Sequence, residues 1–178
     1  RLDIPSVDPW DNSEPEVTGG YVFKRDRQGV GELTLNAAGS GGTVPLTSPN
    51  EITSAQRTYI QGYLAEMNSA LDAPSGINPS TGKHFSEYMD VDAWIDNFWL
   101  NILAMDPDWG RLSQYFYKER NGPVSAGPIW DYDRTMGSDD NRDDNPRQWD
   151  TGNPTWYASN YPWFGKLFGF RSNNQPKP

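Results

Sequence analysis

Two carboxylates one residue apart, Asp131 and Asp133, end an aromatic-rich stretch, SQYFYKERNGPVSAGPIWDYD, which covers residues 113–133. Alternate residues of an extended strand share one face, so we expect both carboxylates to point the same way. Carboxylate oxygens are the hard ligands that Mg²⁺, Mn²⁺ and Ca²⁺ prefer. The spacing therefore predicts a divalent-metal site at the end of this stretch.

A second pair of carboxylates, Asp106 and Asp108, lies in the turn that precedes this stretch. One carboxylate beside a substrate hydroxyl and another holding a metal is the arrangement that kinases use for phosphoryl transfer. The alternative is that both pairs only cap turns, because Asp is among the commonest turn residues. Spacing alone leaves both interpretations open.

A β-hairpin must position these carboxylates. Residues 113–120 and 124–131 are the predicted strands, and the Asn121-Gly122 dipeptide between them is a strong hairpin signal. The register of the hairpin then decides where Asp131 and Asp133 point.

Two amphipathic helices precede the hairpin. The first begins at a capping box formed by Thr53 and Gln56 and ends near residue 72. The second begins at the Asp90 cap and ends at Asp106, where a proline follows. We expect the apolar face of the second helix to lie in the core: Val91, Trp94, Ile95, Phe98 and Ile102.

The remaining elements complete the fold class. Residues 21–24 and 32–35 are predicted strands, and the aromatic segment 159–170 contains a last helix. The glycine-rich residues 37–43 lack the spacing of a phosphate-binding loop, so we expect a mobile loop there. Strands, helices, a hairpin, a loop and a helix in this order predict an α+β fold.

Composition excludes several classes of function. The 24 acidic and 15 basic residues give a net charge of −9, which disfavours nucleic acid and anionic membranes as partners. The absence of cysteine excludes disulfides, thiolate nucleophiles and cysteine-ligated zinc. No apolar run approaches the roughly 20 residues of a membrane span, so we expect none.

Tryptophans and an acidic run leave two further interpretations open. Four tryptophans would stack on sugars if they were exposed, although buried packing is the commoner role: Trp109, Trp149, Trp156 and Trp163. Dense Asp and Asn in residues 139–144 suit either a solvated turn-rich loop or a calcium site without the EF-hand order.

The chain resembles the spore-coat-protein-H-like (CotH) kinase family from Thr18-Gly19-Gly20-Tyr21 through the Thr53 helix and in three later segments: YMDVDAWIDNFWLNIL, DPDWGRLSQYFYKER and GPIWDYDRTMGSDDNRDDNP. The resemblance is most specific in residues 108–118 and in one block near the hairpin end: Gly127, Pro128, Trp130, Asp131, Asp133 and Gly137. It extends from about residue 18 to residue 167. We therefore assign residues 1–170 to one CotH-like domain and residues 171–178 to a polar tail.

The resemblance implies an atypical protein-kinase-like fold, represented here mainly by its carboxy-terminal lobe. It also implies ATP and Mg²⁺ or Mn²⁺ as cofactors, with Ca²⁺ as the alternative metal. The implied substrate is a protein of the spore or cell surface, which implies an extracellular location. Asp108 matches the catalytic-loop aspartate and Asp131 the metal-binding aspartate, while Asp133 completes a Trp-Asp-x-Asp motif.

Two departures from the kinase pattern bear on activity. Ser113 stands where kinase catalytic loops carry a metal-binding Asn, five positions after the aspartate. By the same resemblance, the strands that cover the nucleotide phosphates are expected to lie before Arg1. Val22-Phe23-Lys24 is a poor match to the kinase lysine strand, so we interpret Lys24 as a surface strand residue. The alternatives to a kinase are a non-catalytic surface or coat module on the same scaffold and a calcium-stabilised, Trp-rich domain of a polysaccharide-active protein.

Overall fold

The computed structural model describes residues 4–137 and 162–168 and has an α+β architecture, as predicted. A five-stranded antiparallel sheet has the order β2-β3-β1-β4-β5. The strands are β1 Tyr21–Arg25, β2 Leu33–Ala37, β3 Gly42–Ser48, β4 Gln114–Lys118 and β5 Val124–Ala126. The α-helices are α1 Ser54–Asp72, α2 Val91–Ala104 and α3 Pro162–Leu167, and short 3₁₀ helices cover Glu16–Thr18, Phe85–Glu87 and Tyr132–Arg134.

The helix starts follow the predicted caps. Thr53 Oγ1 accepts a hydrogen bond from Gln56 N at 3.2 Å, and Gln56 Oε1 accepts one from Thr53 N at 3.1 Å, which completes the capping box of α1. Asp90 caps α2 by accepting from Ala93 N at 3.3 Å. Helix α2 ends earlier than predicted because Met105, with a φ of 52°, turns the chain into the left-handed conformation.

The core is a layer of aromatic rings between the sheet and the helices. Phe23 and Phe116 are cross-strand partners whose ring centroids lie 5.6 Å apart. Trp94 of α2 stacks on Phe116 at 5.0 Å, and Trp163 of α3 meets the same ring edge-on at 5.4 Å. The expected core role is confirmed for Trp94 and for the buried Trp109 and Trp163.

The glycine-rich stretch forms a shorter loop than predicted, residues 38–41, because Ala37 ends β2 and Gly42 begins β3, a strand that was not predicted. Gly41 and Gly42, with φ angles of 89° and 150°, form a tight turn that leads into β3. Strand β3 then lies between β2 and β1. Pro45 hid this strand in the sequence, since proline has no N–H for a strand ladder and usually argues against a central strand.

The hairpin is present, but its second strand is shorter than predicted. Strand β5 ends at Ala126, because Gly127 has a φ of 137° and Pro128 has no N–H to continue the ladder. Asp131 adopts the left-handed conformation with a φ of 65°, and Asp133 belongs to a 3₁₀ helix. The expectation that both carboxylates share one face of an extended strand is therefore wrong; a turn carries them.

None of the helices within residues 4–137 and 162–168 is long and apolar enough to cross a membrane. The acidic run of residues 139–144, Trp149, Trp156 and the tail of residues 171–178 lie outside the described residues.

Candidate functional site

The turn that carries Asp131 is attached to helix α2. The hydroxyl of Tyr132 donates to Oδ1 of Asn101 at 2.9 Å, and the backbone N of Met136 donates to the carbonyl of Ala104 at 3.0 Å. Both acceptors lie in the last part of α2. The turn is thus held against the helix end from which the segment containing Asp106 and Asp108 departs.

Ser113 joins this segment to the turn. Its side chain is buried, its φ is 57°, and its hydroxyl donates to Oδ2 of Asp131 at 3.2 Å. The residue five positions after Asp108 therefore contacts Asp131. The structure brings together the two regions that the sequence analysis singled out.

Asp108 is clamped between two arginines. Arg111 Nη2 donates to Asp108 Oδ1 at 2.7 Å, and Arg134 Nη1 donates to Oδ2 at 2.8 Å. Burial alone would raise the pKa of Asp108, but the hydrogen bonds and positive charges of the two guanidinium groups outweigh it and hold this pKa below its usual value. A carboxylate held in this way is a weak proton acceptor.

Asp106 is a buried neighbour of a different kind. Its Oδ1 accepts from the backbone N of Asp108 at 2.9 Å, which is the turn-capping role left open by the sequence analysis. Its Oδ2 is buried without a hydrogen-bond partner among the described residues. The pKa of Asp106 is raised to about 6, chiefly by burial and also by the charges of Asp108 and Asp131, while backbone hydrogen bonds from Asp108 and Trp109 act in the opposite direction. The electrostatic coupling places these carboxylates in one acidic cluster.

The described residues place few oxygen donors around Asp131. Asp131 and Asp133 are both exposed, and the hydroxyl of Ser113 lies beside the first of them. Within the described part of the chain, no group of three or more His, Cys, Asp or Glu side chains is placed to hold a metal. Mg²⁺ is often bound by one or two carboxylates and completes its shell with water and substrate phosphates, so a small donor set is compatible with this ion.

The sheet face opposite the core carries an ion pair. Lys24 Nζ lies 3.0 Å from Glu32 Oε1, and only 13% of the Lys24 side chain is exposed. Lys24 is the cross-strand partner of Tyr115, whose ring meets that of Trp130 edge-on at 6.0 Å. Lys24 is thus partly buried and paired, which differs from the surface lysine expected from the sequence.

The sequence analysis missed both arginines and Tyr132. Arg111 had a usable signal, because an arginine three residues after an aspartate is a common ion-pair spacing. Arg134 had no such sequence signal, since its partner Asp108 is 26 positions away and the contact forms only when the Asp131 turn packs against α2. No local sequence pattern links Tyr132 to Asn101, which is 31 positions away.

Comparison with protein-family models finds a match to CotH, described as CotH kinase protein, over residues 12–170. Comparisons with curated proteins and with solved structures give no match. The matched residues include the Asp108 segment, the hairpin and the Asp131 turn, and they make up most of the chain. The chain belongs to the CotH kinase protein family.

Proposed function

We propose that this protein transfers a phosphoryl group from ATP to a hydroxyl of a protein at the spore or cell surface, with Mg²⁺ or Mn²⁺ as the metal. The observation that carries the proposal is the convergence of two chain segments at one place. Ser113 bonds Asp131 at 3.2 Å, and Arg134 from the Asp131 turn bonds Asp108 at 2.8 Å. Family membership supports the same reaction class.

In this proposal Asp131 and Asp133 hold the metal, with the hydroxyl of Ser113 beside them. When bound, the metal neutralises charge that develops on the phosphate oxygens. The protein's own residues must then hold the acceptor hydroxyl in line and keep the charged groups in place. Such positioning supplies most of the catalysis in phosphoryl transfer, where the transition state is loose.

Asp108 orients the acceptor hydroxyl rather than removing its proton. The two guanidinium groups keep its pKa low, so its carboxylate takes up a proton poorly. It still accepts hydrogen bonds, and a hydroxyl that donates to it points its lone pair away from the carboxylate. Of the two roles open to a catalytic-loop aspartate, orienting the acceptor hydroxyl or removing its proton, we propose the first for Asp108.

The test is a phosphoryl-transfer assay with Mn²⁺ and ATP labelled in the γ-phosphate. Peptides that contain Ser, Thr or Tyr serve as acceptors, and intact mass detects self-labelling. We expect label in the wild type, none in the presence of EDTA, and a rate reduced about 100-fold in Asp108→Asn when it is measured at saturating ATP. Transfer at the wild-type rate by Asp108→Asn would reject its role.

A second candidate function is a non-catalytic surface or coat module on the same scaffold. Ser113 favours it, because a hydroxyl is a weaker metal ligand than the amide oxygen that kinases place there. The assay separates the two functions directly. Metal-dependent ATP binding without transfer to any acceptor would favour the module, and a metal response confined to Ca²⁺ without ATP binding would favour the calcium-stabilised alternative.

A further inference from the structure

Two guanidinium groups converge on one carboxylate at the edge of the proposed site. Arg111 belongs to the segment after α2, whereas Arg134 belongs to the 3₁₀ helix that also contains Asp133. They bond different oxygens of Asp108 at 2.7 and 2.8 Å. Their side chains are 51% and 35% exposed, so a solute can reach both of them.

The negative charge of the aspartates at the site opposes the binding of a polyphosphate, and nearby arginines reduce this repulsion. The site brings together three aspartates whose charges interact, Asp106, Asp108 and Asp131. Unit charges of like sign repel strongly in a partly buried place, so these carboxylates oppose an incoming phosphate. Arg111 and Arg134 are the cationic side chains that the described structure places on Asp108. The two arginines therefore offset the repulsion of a phosphate near Asp108.

The geometry of the clamp also suits a phosphate. A guanidinium group has five N–H donors in a planar fork, and the bond from Arg111 to Asp108 uses one of them. Phosphate oxygens match this fork, and bonds between two charged groups are among the strongest hydrogen bonds in proteins. Because Asp108 already orders both side chains, less conformational entropy is lost when an anion binds.

We propose that Arg111 and Arg134 form an anion subsite for the terminal phosphate of the nucleotide, and that Asp108 holds this subsite in position. The identity of the anion rests on the proposed function. The subsite gives Asp108 a second task beside orienting the acceptor hydroxyl. It also gives the chain a positive charge where charge accumulates during phosphoryl transfer.

The experiment is a calorimetric titration with Mn²⁺ and, in turn, ATP, ADP and inorganic tripolyphosphate. The proteins are the wild type, Arg111→Gln, Arg134→Gln and the control Arg120→Gln, which removes an arginine that pairs with Asp11 elsewhere. Arg111→Gln is the safer variant for folding, since the Arg111 side chain is half exposed and forms its ion pair with Asp108. Thermal melts of every variant check that the fold is retained.

We expect each site variant to lose ATP affinity by about tenfold or more while ADP affinity changes by less than about threefold, because only ATP reaches the subsite with its terminal phosphate. The control should bind both nucleotides like the wild type. Equal losses for ATP and ADP would show a merely structural clamp, and unchanged ATP binding would also overturn the proposal.

The third probe separates failure of this inference from failure of the proposed function. If the wild type binds neither nucleotide but binds tripolyphosphate in a manner lost in Arg111→Gln and Arg134→Gln, the anion subsite stands and the ATP assignment falls. If no arginine-dependent binding of any of the three probes occurs, both are rejected.

Discussion

The buried side chain of Lys118 allows the effect of burial on a charged group to be tested directly. The residue is 1% exposed, and its ammonium group donates to the carbonyl of Thr18 at 2.5 Å. The same group lies 4.5 Å from the ring centroid of Tyr63 and 5.5 Å from that of Tyr59, where a cation is attracted to the ring faces. Burial nevertheless lowers the pKa of Lys118 from 10.5 to about 8. Folding therefore stabilises the neutral amine relative to the charged form.

The sign of the pH dependence follows from proton binding. Between pH 8 and 10.5 the unfolded chain keeps its proton on Lys118 while the folded chain has lost it, so the free energy of unfolding rises with pH in this window. The full difference amounts to about 3 kcal/mol, of which about 1 kcal/mol is gained between pH 7 and pH 9. Burial raises the pKa of Tyr59 to about 12 and also raises the pKa of Tyr63, which lowers stability at higher pH. Measurements below pH 9.5 keep the two effects apart.

The assay is urea unfolding of the wild type and Lys118→Met from pH 7 to pH 9. Methionine keeps an unbranched side chain in the same space and cannot be charged. We expect the wild type to gain about 1 kcal/mol relative to Lys118→Met over this interval, equivalent to about 2–4 °C in melting temperature. The exposed Lys83→Met serves as the control and should follow the wild type. Parallel pH profiles for the wild type and Lys118→Met would refute the reasoning.

Three further predictions follow from individual contacts. Thr53→Ala removes the capping box of α1 and should lower the free energy of unfolding by about 1 kcal/mol in a urea titration; an unchanged midpoint would contradict the cap's contribution. Phe164→Ala removes a buried ring that lies 4.7 Å from Trp94 and should cost about 3–5 kcal/mol, whereas a loss below about 1 kcal/mol would mean that α3 contributes little to the core. Ser113→Asn supplies an amide oxygen beside Asp131 in a left-handed conformation that Asn tolerates well, so Mn²⁺ affinity measured by calorimetry should rise, and a fall would argue against the metal site.

Local patterns were sufficient for the helices and the hairpin. Thr53 and Asp90 each start a helix by accepting a hydrogen bond from a backbone N–H three residues later. Such short-range contacts can be predicted from the sequence. The α+β class follows from the order of these elements. Strand β3 was lost because Pro45 masks a strand that neighbouring strands stabilise from both sides.

The sequence identified part of the candidate site, but not its backbone geometry or its long-range contacts. The sequence analysis identified Asp108, Asp131 and Asp133 as candidate site residues. It predicted an extended strand at Asp131 and Asp133, whereas Asp131 is left-handed and Asp133 lies in a 3₁₀ helix. Backbone direction after Gly127 depends on how the turn docks on α2, which no local pattern encodes. The bond from Arg134 to Asp108 spans 26 positions and depends on the same docking. Roles for these residues in metal and substrate binding stay predictions.

The most direct test of the central claim is calorimetric titration of ATP with Mn²⁺ into the wild type and Asp131→Asn. Asparagine keeps the size of the side chain and accepts the left-handed conformation of this position, so the variant removes mainly the charge. The exposed Asp96→Asn on α2 is the matched control. The account predicts metal-dependent binding in the wild type and in Asp96→Asn, with a loss of about tenfold or more in Asp131→Asn. Equal binding by all three proteins, or binding that does not require the metal, would contradict it.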